Sequence, residues 1–405
     1  MGLKTYQAAY GKGTKADLRF PESWTVETIK MTRPAITVEQ IAEIIRHPFG
    51  SKPLAELAIG AKTVGIILED HTRFTPLVEA VDIVLEDLFR AGVKQGCIKL
   101  IGASATHRVT KREDIARKIS KSALQKVQVI EHAVLDESKL TYIGTTSRGT
   151  DVCIHSEIAK CDLIVGIGGI APHGSVQFGG GAKLLLPGIA GYKTIRHNHT
   201  RIEQSLSFTG DEIRPMRQDM EEALNMVNYA FNVSGFIDHD GKLVDMVAGD
   251  PIIAHRRGME IGKELYYFPV GEKADVVVAC SNPLDVDCFQ SIKGLLPAVE
   301  FVKPGGTILW LSACPEGIGT HYLTQLDEDY RSAMIHGMQS RCDIANVLFC
   351  ASKMDRKELY RFIAGSIEYY ENVDDAVFRA TSLAPQDATV KILWASPFTV
   401  GVEAI

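Results

Sequence analysis

Short runs of β-branched and aliphatic residues alternate along the chain with stretches whose apolar positions recur at helical spacing. That is the pattern of parallel sheets flanked by helices. Residues 63–69 (TVGIILE) form the first predicted strand, followed by an amphipathic helix over 76–91 that Gly92 closes. Further strands are predicted at 98–102 (IKLIG), 127–130 and 163–167 (LIVGI). Two capping boxes mark helix starts: Thr37 with Gln40 ahead of IAEIIRH, and Thr110 with Glu113 for a helix running through Ile119. A polar break at 270–273 (VGEK) opens a second series, with strands at 275–280 (DVVVAC), 307–312 (TILWLS), 346–350 (NVLFC) and 389–394 (TVKILW). Pro304-Gly305-Gly306 suits a helix-to-strand turn into the second of these. The expected fold is α/β: two doubly wound, Rossmann-like domains at 1–268 and 275–395, with the active site in the cleft between them. The tail, 396–405, could return to the first domain.

Length agrees with two domains, at 405 residues. The net charge of −6 excludes a nucleic-acid grip or an anionic membrane surface, both of which need clustered positive charge. Apolar residues at 45% and charged ones at 23% are the balance of a folded soluble protein. No run approaches the ~18 apolar residues of a membrane span, and the polar start lacks the apolar segment of a secretory signal. Eight cysteines without a C-x-x-C pair read as reduced thiols. A cytoplasmic enzyme is expected.

Ligands of open α/β sheets bind beyond the carboxyl ends of strands, and several unusual clusters fall there. Asp70-His71-Thr72-Arg73 follows the first strand; it is either a loop whose Asp and Arg pair with each other, or a site where Arg73 grips a carboxylate. His107, after IKLIG, is placed for acid–base work, although a lone histidine there more often only hydrogen-bonds. The densest signal is 166–199 (GIGGIAPHGSVQFGGGAKLLLPGIAGYKTIRHNH), with His173, Gly179, Gly180, Gly181, Lys183, His197 and His199. Its glycines allow close backbone approach to a ligand. It fits neither a P-loop nor a dinucleotide fingerprint, since Leu184 follows Lys183. In the second half, Gln290 and Lys293 share a helix face, as solvated surface or as a polar wall over an anion.

Taken together, DHTR at 70–73, THR at 106–108, PH at 172–173, FGGGAKLLLPGI at 178–189, NH at 198–199 and FQSIKG at 289–294 resemble the lactate racemase family, the nickel-pincer-nucleotide-dependent 2-hydroxyacid racemases and epimerases. The resemblance implies a pyridinium-3-thioamide-5-thiocarboxylic acid mononucleotide tethered to Lys183, its nickel completed by His199. It implies His107 and His173 as the acid–base pair, Arg73, Gln290 and Lys293 as substrate anchors, and Asp70 with Gly179, Gly180 and Gly181 as nucleotide contacts. It implies a small 2-hydroxycarboxylate as substrate and the host's cofactor-synthesis proteins as partners. His197 falls outside the matched motif.

Two departures stand out: Phe289 where lactate racemases carry tyrosine, and Ala182 where a basic residue commonly precedes the tether lysine. Both loosen the expectation of lactate itself. The expected chemistry is inversion at C2 by reversible hydride transfer, one histidine on each side handling the hydroxyl proton. Two other classes compete: a nicotinamide-dependent 2-hydroxyacid oxidoreductase, and a non-catalytic carboxylate-binding protein. The missing early G-x-G-x-x-G counts against the first, and the histidine set against the second.

Overall fold

The computed structural model describes residues 2–200 and 207–403. The chain divides into two compact units, Arg33–Glu264 and Met1–Thr32 together with Leu265–Ile405. Both are mixed α/β with largely parallel sheets.

In Arg33–Glu264 the strand Val64–Glu69 lies mid-sheet, paired in parallel with Ile98–Ala103 on one side and Leu163–Gly169 on the other. Gln128–Ile130 extends the first side in parallel. Tyr229–Ile237 extends the second, and Leu243–Gly249 closes it as an antiparallel edge. Every residue of Val64–Glu69 is buried, which is why this strand reads as a continuous apolar run rather than an alternation. The helix Val78–Arg90 covers the sheet through Val81, Val84, Leu85 and Leu88, a stripe at spacings of three and four. It ends in a Schellman motif: Val93 N–H donates to Leu88 O (3.1 Å) and Gly92 N–H to Phe89 O (3.0 Å), with Gly92 at φ +93°. An alanine at 92 would hold a side chain in that left-handed conformation at a cost of roughly 1–2 kcal/mol. The Thr37–Gln40 box forms as expected.

The second expected box does not. The helix after His107 is one turn, Arg112–Ile115, and its start is held by Asp114 accepting from Lys111 N–H (3.0 Å). Thr110 turns inward instead, where its N–H donates to Ser104 Oγ (3.0 Å) and its hydroxyl lies 3.3 Å from His71 Nδ1. A buried threonine beside two polar side chains has better partners there than a helix end.

The other unit has a six-stranded, all-parallel sheet in the order Glu368–Tyr370, Asn346–Cys350, Val302–Leu311, Ala274–Cys280, Thr389–Leu393, Thr25–Ile29. Trp310 is fully buried here, stacked on Phe349 at 3.9 Å with its Nε1 donating to Ser281 Oγ (2.8 Å). Pro304-Gly305-Gly306 sits within a long strand: pairing jumps from Ala274↔Val302 to Val276↔Thr307, so the turn is an inserted bulge.

Two expected boundaries move. Residues 1–32 belong with the C-terminal residues: the hairpin Leu3–Ala9/Lys15–Pro21 buries Leu18 and Phe20 in a cluster with Val276 and Leu309, and Thr25–Ile29 pairs with Thr389–Leu393. The tail stays in this unit too, since Val400–Val402 pairs with Tyr267–Pro269. Among the described residues no helix is long and apolar enough to cross a membrane.

Candidate active site

Three loops leave the carboxyl ends of adjacent strands of Arg33–Glu264, and the sequence candidates of that unit sit on or just after them. The first, after Val64–Glu69, is fixed by a buried ion pair. Glu69 accepts from Lys118 Nζ (2.9 Å), Thr75 N–H (3.1 Å) and Gly169 N–H (2.8 Å), and Lys118 also donates to Arg73 O (2.5 Å). The loop carrying Arg73 is thereby tied to two neighbouring segments.

Asp70 is 3% exposed and both of its oxygens are engaged. Oδ1 accepts from Thr72 N–H (3.1 Å) and Thr72 Oγ1 (2.7 Å); Oδ2 lies 2.5 Å from His107 Nδ1. Burial alone would raise its carboxyl pKa, but His107, Arg73 and His71 together hold it well below the usual carboxylate range. Asp70 is thus a buried carboxylate that holds His107 through Nδ1. An acceptor at Nδ1 places the Nδ1–H there. His107 arrives over the strand end because Ala105 turns the chain at φ +48°, its N–H donating to Gly188 O (2.9 Å).

The third loop holds the glycines. Gly180 (φ +78°) and Gly181 (φ +58°) take left-handed backbone, and a Cβ on Gly180 would meet Gly169 O at 2.7 Å. Only glycine fits both demands. Lys183 follows in a short 3-10 turn, Gly181–Leu184, and its Nζ lies 3.3 Å from His173 Nε2. Burial, then the charges of Arg217 and Arg73, lower the Lys183 ammonium to about 7. Ser175 N lies 3.3 Å from His173 Nδ1, and Nε2 of the same ring faces the lysine amine. Ala182 is fully buried.

His199 lies on the helix Tyr192–Thr200. Burial, and secondarily Lys183, depress its pKa to about 3, keeping the imidazole neutral. Its neighbour Asn198 is fully buried and donates to Asp219 Oδ2 (2.6 Å). His197 lies 3.3 Å from Arg148 O. Asp70, Arg73, His107, His173, Lys183 and His199, spread over 130 positions of sequence, are thus linked to one another by contact or by charge. Among the described residues no group of three His, Cys, Asp or Glu converges, so any metal at His199 would need donors from elsewhere.

Gln290 and Lys293 stand in the other unit, on the helix Cys288–Ala298, where Lys293 Nζ donates to Gln290 Oε1. Asp287 caps that helix by accepting from Gln290 N–H (2.8 Å). Phe289 belongs to the core, packed on Phe362 (5.1 Å) and His321 (5.6 Å).

Sequence reasoning missed Arg217 and His255. Arg217, 1% exposed, donates to Phe178 O (2.5 Å) and Gly180 O (2.9 Å), and His255 Nε2 lies 2.9 Å from Gly179 O. No short motif marks either residue, because their partners are backbone carbonyls.

Residues 10–210 match the lactate racemase N-terminal domain, and residues 270–341 the lactate racemase C-terminal domain. A lactate racemase of Lactiplantibacillus plantarum is 31% identical over 299 residues, 72% of this chain and 70% of that protein. The chain belongs to the lactate racemase family. A second lactate racemase, from Thermoanaerobacterium thermosaccharolyticum, is 31% identical over 284 residues, 69% of this chain and 66% of the relative. The apoprotein structure of a lactate racemase from that organism superposes with a TM-score of 0.76 at 24% identity, covering 99% of this chain and all of the other. A Thermotoga maritima protein shares the fold at a TM-score of 0.66 and 16% identity, covering 91% of this chain and 99% of that one. As a lactate racemase family member the chain is an isomerase, and the motifs read from its sequence fall within the matched regions.

Proposed function

We propose that this protein inverts C2 of a 2-hydroxycarboxylate, lactate or a larger homologue, using a nickel-pincer nucleotide tethered to Lys183. The observation that carries this reading is a partly buried lysine whose Nζ lies 3.3 Å from His173 Nε2, with its ammonium form disfavoured by burial and by the charges of Arg217 and Arg73. The residues fit the group. A thioamide linkage needs an uncharged amine, and burial supplies one at Lys183. A metal ligand must be a neutral imidazole, and burial supplies that at His199. Among the described residues no three His, Cys, Asp or Glu side chains gather, which suits a metal whose remaining donors come with the cofactor.

When bound, the group supplies a hydride acceptor for the substrate's α-hydrogen. The chain's own residues do the rest. Arg73 takes the carboxylate, its guanidinium matching two oxygens at once; Gln290 and Lys293 hold the same assignment on the resemblance alone. His107, with Nδ1 held by Asp70, exchanges the hydroxyl proton of one enantiomer at Nε2, and His173 does so for the other. Each histidine alternates between acid and base as the reaction runs forward or back. Asp70 stabilises the imidazolium that forms at His107.

Protein produced together with the host's cofactor-synthesis proteins should carry a nucleotide-sized mass on the Lys183 peptide and racemise a 2-hydroxyacid in a chiral assay. Protein made without that system should be unmodified and inactive. Turnover that depends on added NAD, with no adduct on Lys183, would replace this reading with an oxidoreductase.

A further inference from the structure

The helix Pro215–Leu224 touches both elements that carry the proposed cofactor-holding residues, and it does so from opposite sides. Residues 217 and 219 are two apart, about 200° around an α-helix, so they point away from each other. Arg217 faces the glycine loop. Its two terminal nitrogens reach Phe178 O and Gly180 O, and His255 Nε2, 2.9 Å from Arg217 Nη2, also faces Gly179 O. Three successive carbonyls just ahead of Lys183 are therefore turned to one side. Glu221, one turn on, holds Arg256 (2.5 Å) and lies 3.9 Å from Arg217 Nε, partly balancing the buried guanidinium.

Asp219 faces the other way and is fully buried. It accepts from Thr146 Oγ1 (2.5 Å), Thr150 Oγ1 (2.9 Å) and Asn198 Nδ2 (2.6 Å). Asn198 precedes His199 on its helix, so Asp219 fixes the rotation of the turn that presents His199. A buried arginine and a buried aspartate on one ten-residue helix, each spending its hydrogen bonds on a different segment, are costly unless the two segments must keep a set relation.

We propose that Arg217 and Asp219 are positioning residues that set Lys183 and His199 in register with each other, the helix Pro215–Leu224 acting as the gauge between them. This rests on the reading of Lys183 as tether and His199 as metal ligand. Arg217 acts on the tether through the loop backbone, and Asp219 acts on the metal through Asn198.

The test uses protein co-produced with the cofactor-synthesis proteins, with peptide mass and nickel content as readouts alongside activity. Asp219→Asn should keep the adduct on Lys183 but hold nickel more weakly, by at most about 10–100-fold, the cost of losing a partner bonded to the ligand itself. The exchanged pair Asn198→Asp with Asp219→Asn restores an amide–carboxylate bond and should recover much of the nickel. Arg217→Lys keeps the charge but not the fork that spans two carbonyls. It should form the Lys183 adduct up to about 10²-fold more slowly, the penalty of an ångström-scale misplacement. Arg217→Met should do so as well; should that variant fail to unfold cooperatively, Arg217→Lys decides. Variants that load adduct and nickel like the unaltered protein would overturn the inference and leave the functional reading standing. An exchanged pair no better than Asp219→Asn alone would reduce Asp219 to a structural role and overturn its half. Unaltered protein that carries no adduct would overturn the functional reading itself.

Discussion

Replacing Asp70 with Asn removes one negative charge from beside His107 and leaves the shape almost unchanged. The two groups lie 2.5 Å apart, with Asp70 3% and the His107 side chain 12% exposed, so little water competes for the bond. A hydrogen bond to a charged partner is worth about 1.5–3 kcal/mol net. In the catalytic cycle this bond reaches full strength only while His107 is an imidazolium, so its loss falls on the barrier. At about 1.36 kcal/mol per decade, Asp70→Asn should lower kcat roughly 10–150-fold. KM should stay level or fall, because Arg73 loses a nearby negative charge that partly neutralised it. The sign of the pH effect follows from the same interaction. What holds Asp70 ionised also favours the charged His107, so in Asp70→Asn the base form persists to lower pH and the acid limb of log kcat/KM moves acidward. The two enantiomers of lactate have equal free energy, so kcat/KM must fall by one factor in both directions. The assay is the initial rate from each pure enantiomer, followed by chiral chromatography between about pH 5 and 9. Turnover within a few-fold of the unaltered enzyme, with an unmoved acid limb, would refute the role given to Asp70.

Two more predictions concern Lys183 and His199, the proposed tether and metal ligand. Lys183 has a folded-state pKa near 7 against an ordinary 10.5, so its burial penalty is full below pH 7 and fades as pH rises toward 10.5. Unloaded Lys183→Met should therefore melt above the unaltered apoprotein by a margin that is largest at or below pH 7 and shrinks above it; a pH-independent margin would contradict the buried-ammonium account. His199→Ala should keep the nucleotide mass on Lys183 while losing most of the nickel, read by peptide mass and metal analysis; full nickel retention would move the ligand elsewhere.

The buried parallel strands were legible because burial on both faces leaves uninterrupted apolar runs: Val64–Glu69, Leu163–Gly169, Ala274–Cys280 and Asn346–Cys350 all lie where the sequence predicts strands. The hairpin Leu3–Ala9/Lys15–Pro21 escaped, although Ala16, Leu18 and Phe20 alternate with exposed residues, because its outward lysines and arginine make the segment look merely polar. The edge pair Tyr229–Ile237 and Leu243–Gly249 was also missed. At the site, the residue types announced themselves and their partners did not. Asp70 and His107 are 37 positions apart, and nothing local shows that the carboxylate meets the imidazole. Arg217 is invisible in PMRQDMEEAL, which reads as an ordinary polar helix until its carbonyl partners are seen. Thr110 showed the reverse: a local capping pattern lost to tertiary partners.

The central claim is that the α-hydrogen leaves and returns as hydride while the two histidines handle only the hydroxyl proton. A histidine with an ordinary pKa near ~6.5 is a poor base for the α-hydrogen of an already anionic hydroxycarboxylate, and an apt one for a hydroxyl that grows acidic as hydride departs. Lactate of one configuration, deuterated at C2, should be converted in ordinary water by the loaded enzyme. The account predicts that the opposite enantiomer retains most of its deuterium and that turnover shows a primary isotope effect. Extensive loss of deuterium to solvent within a single conversion would show proton abstraction at C2 and contradict it.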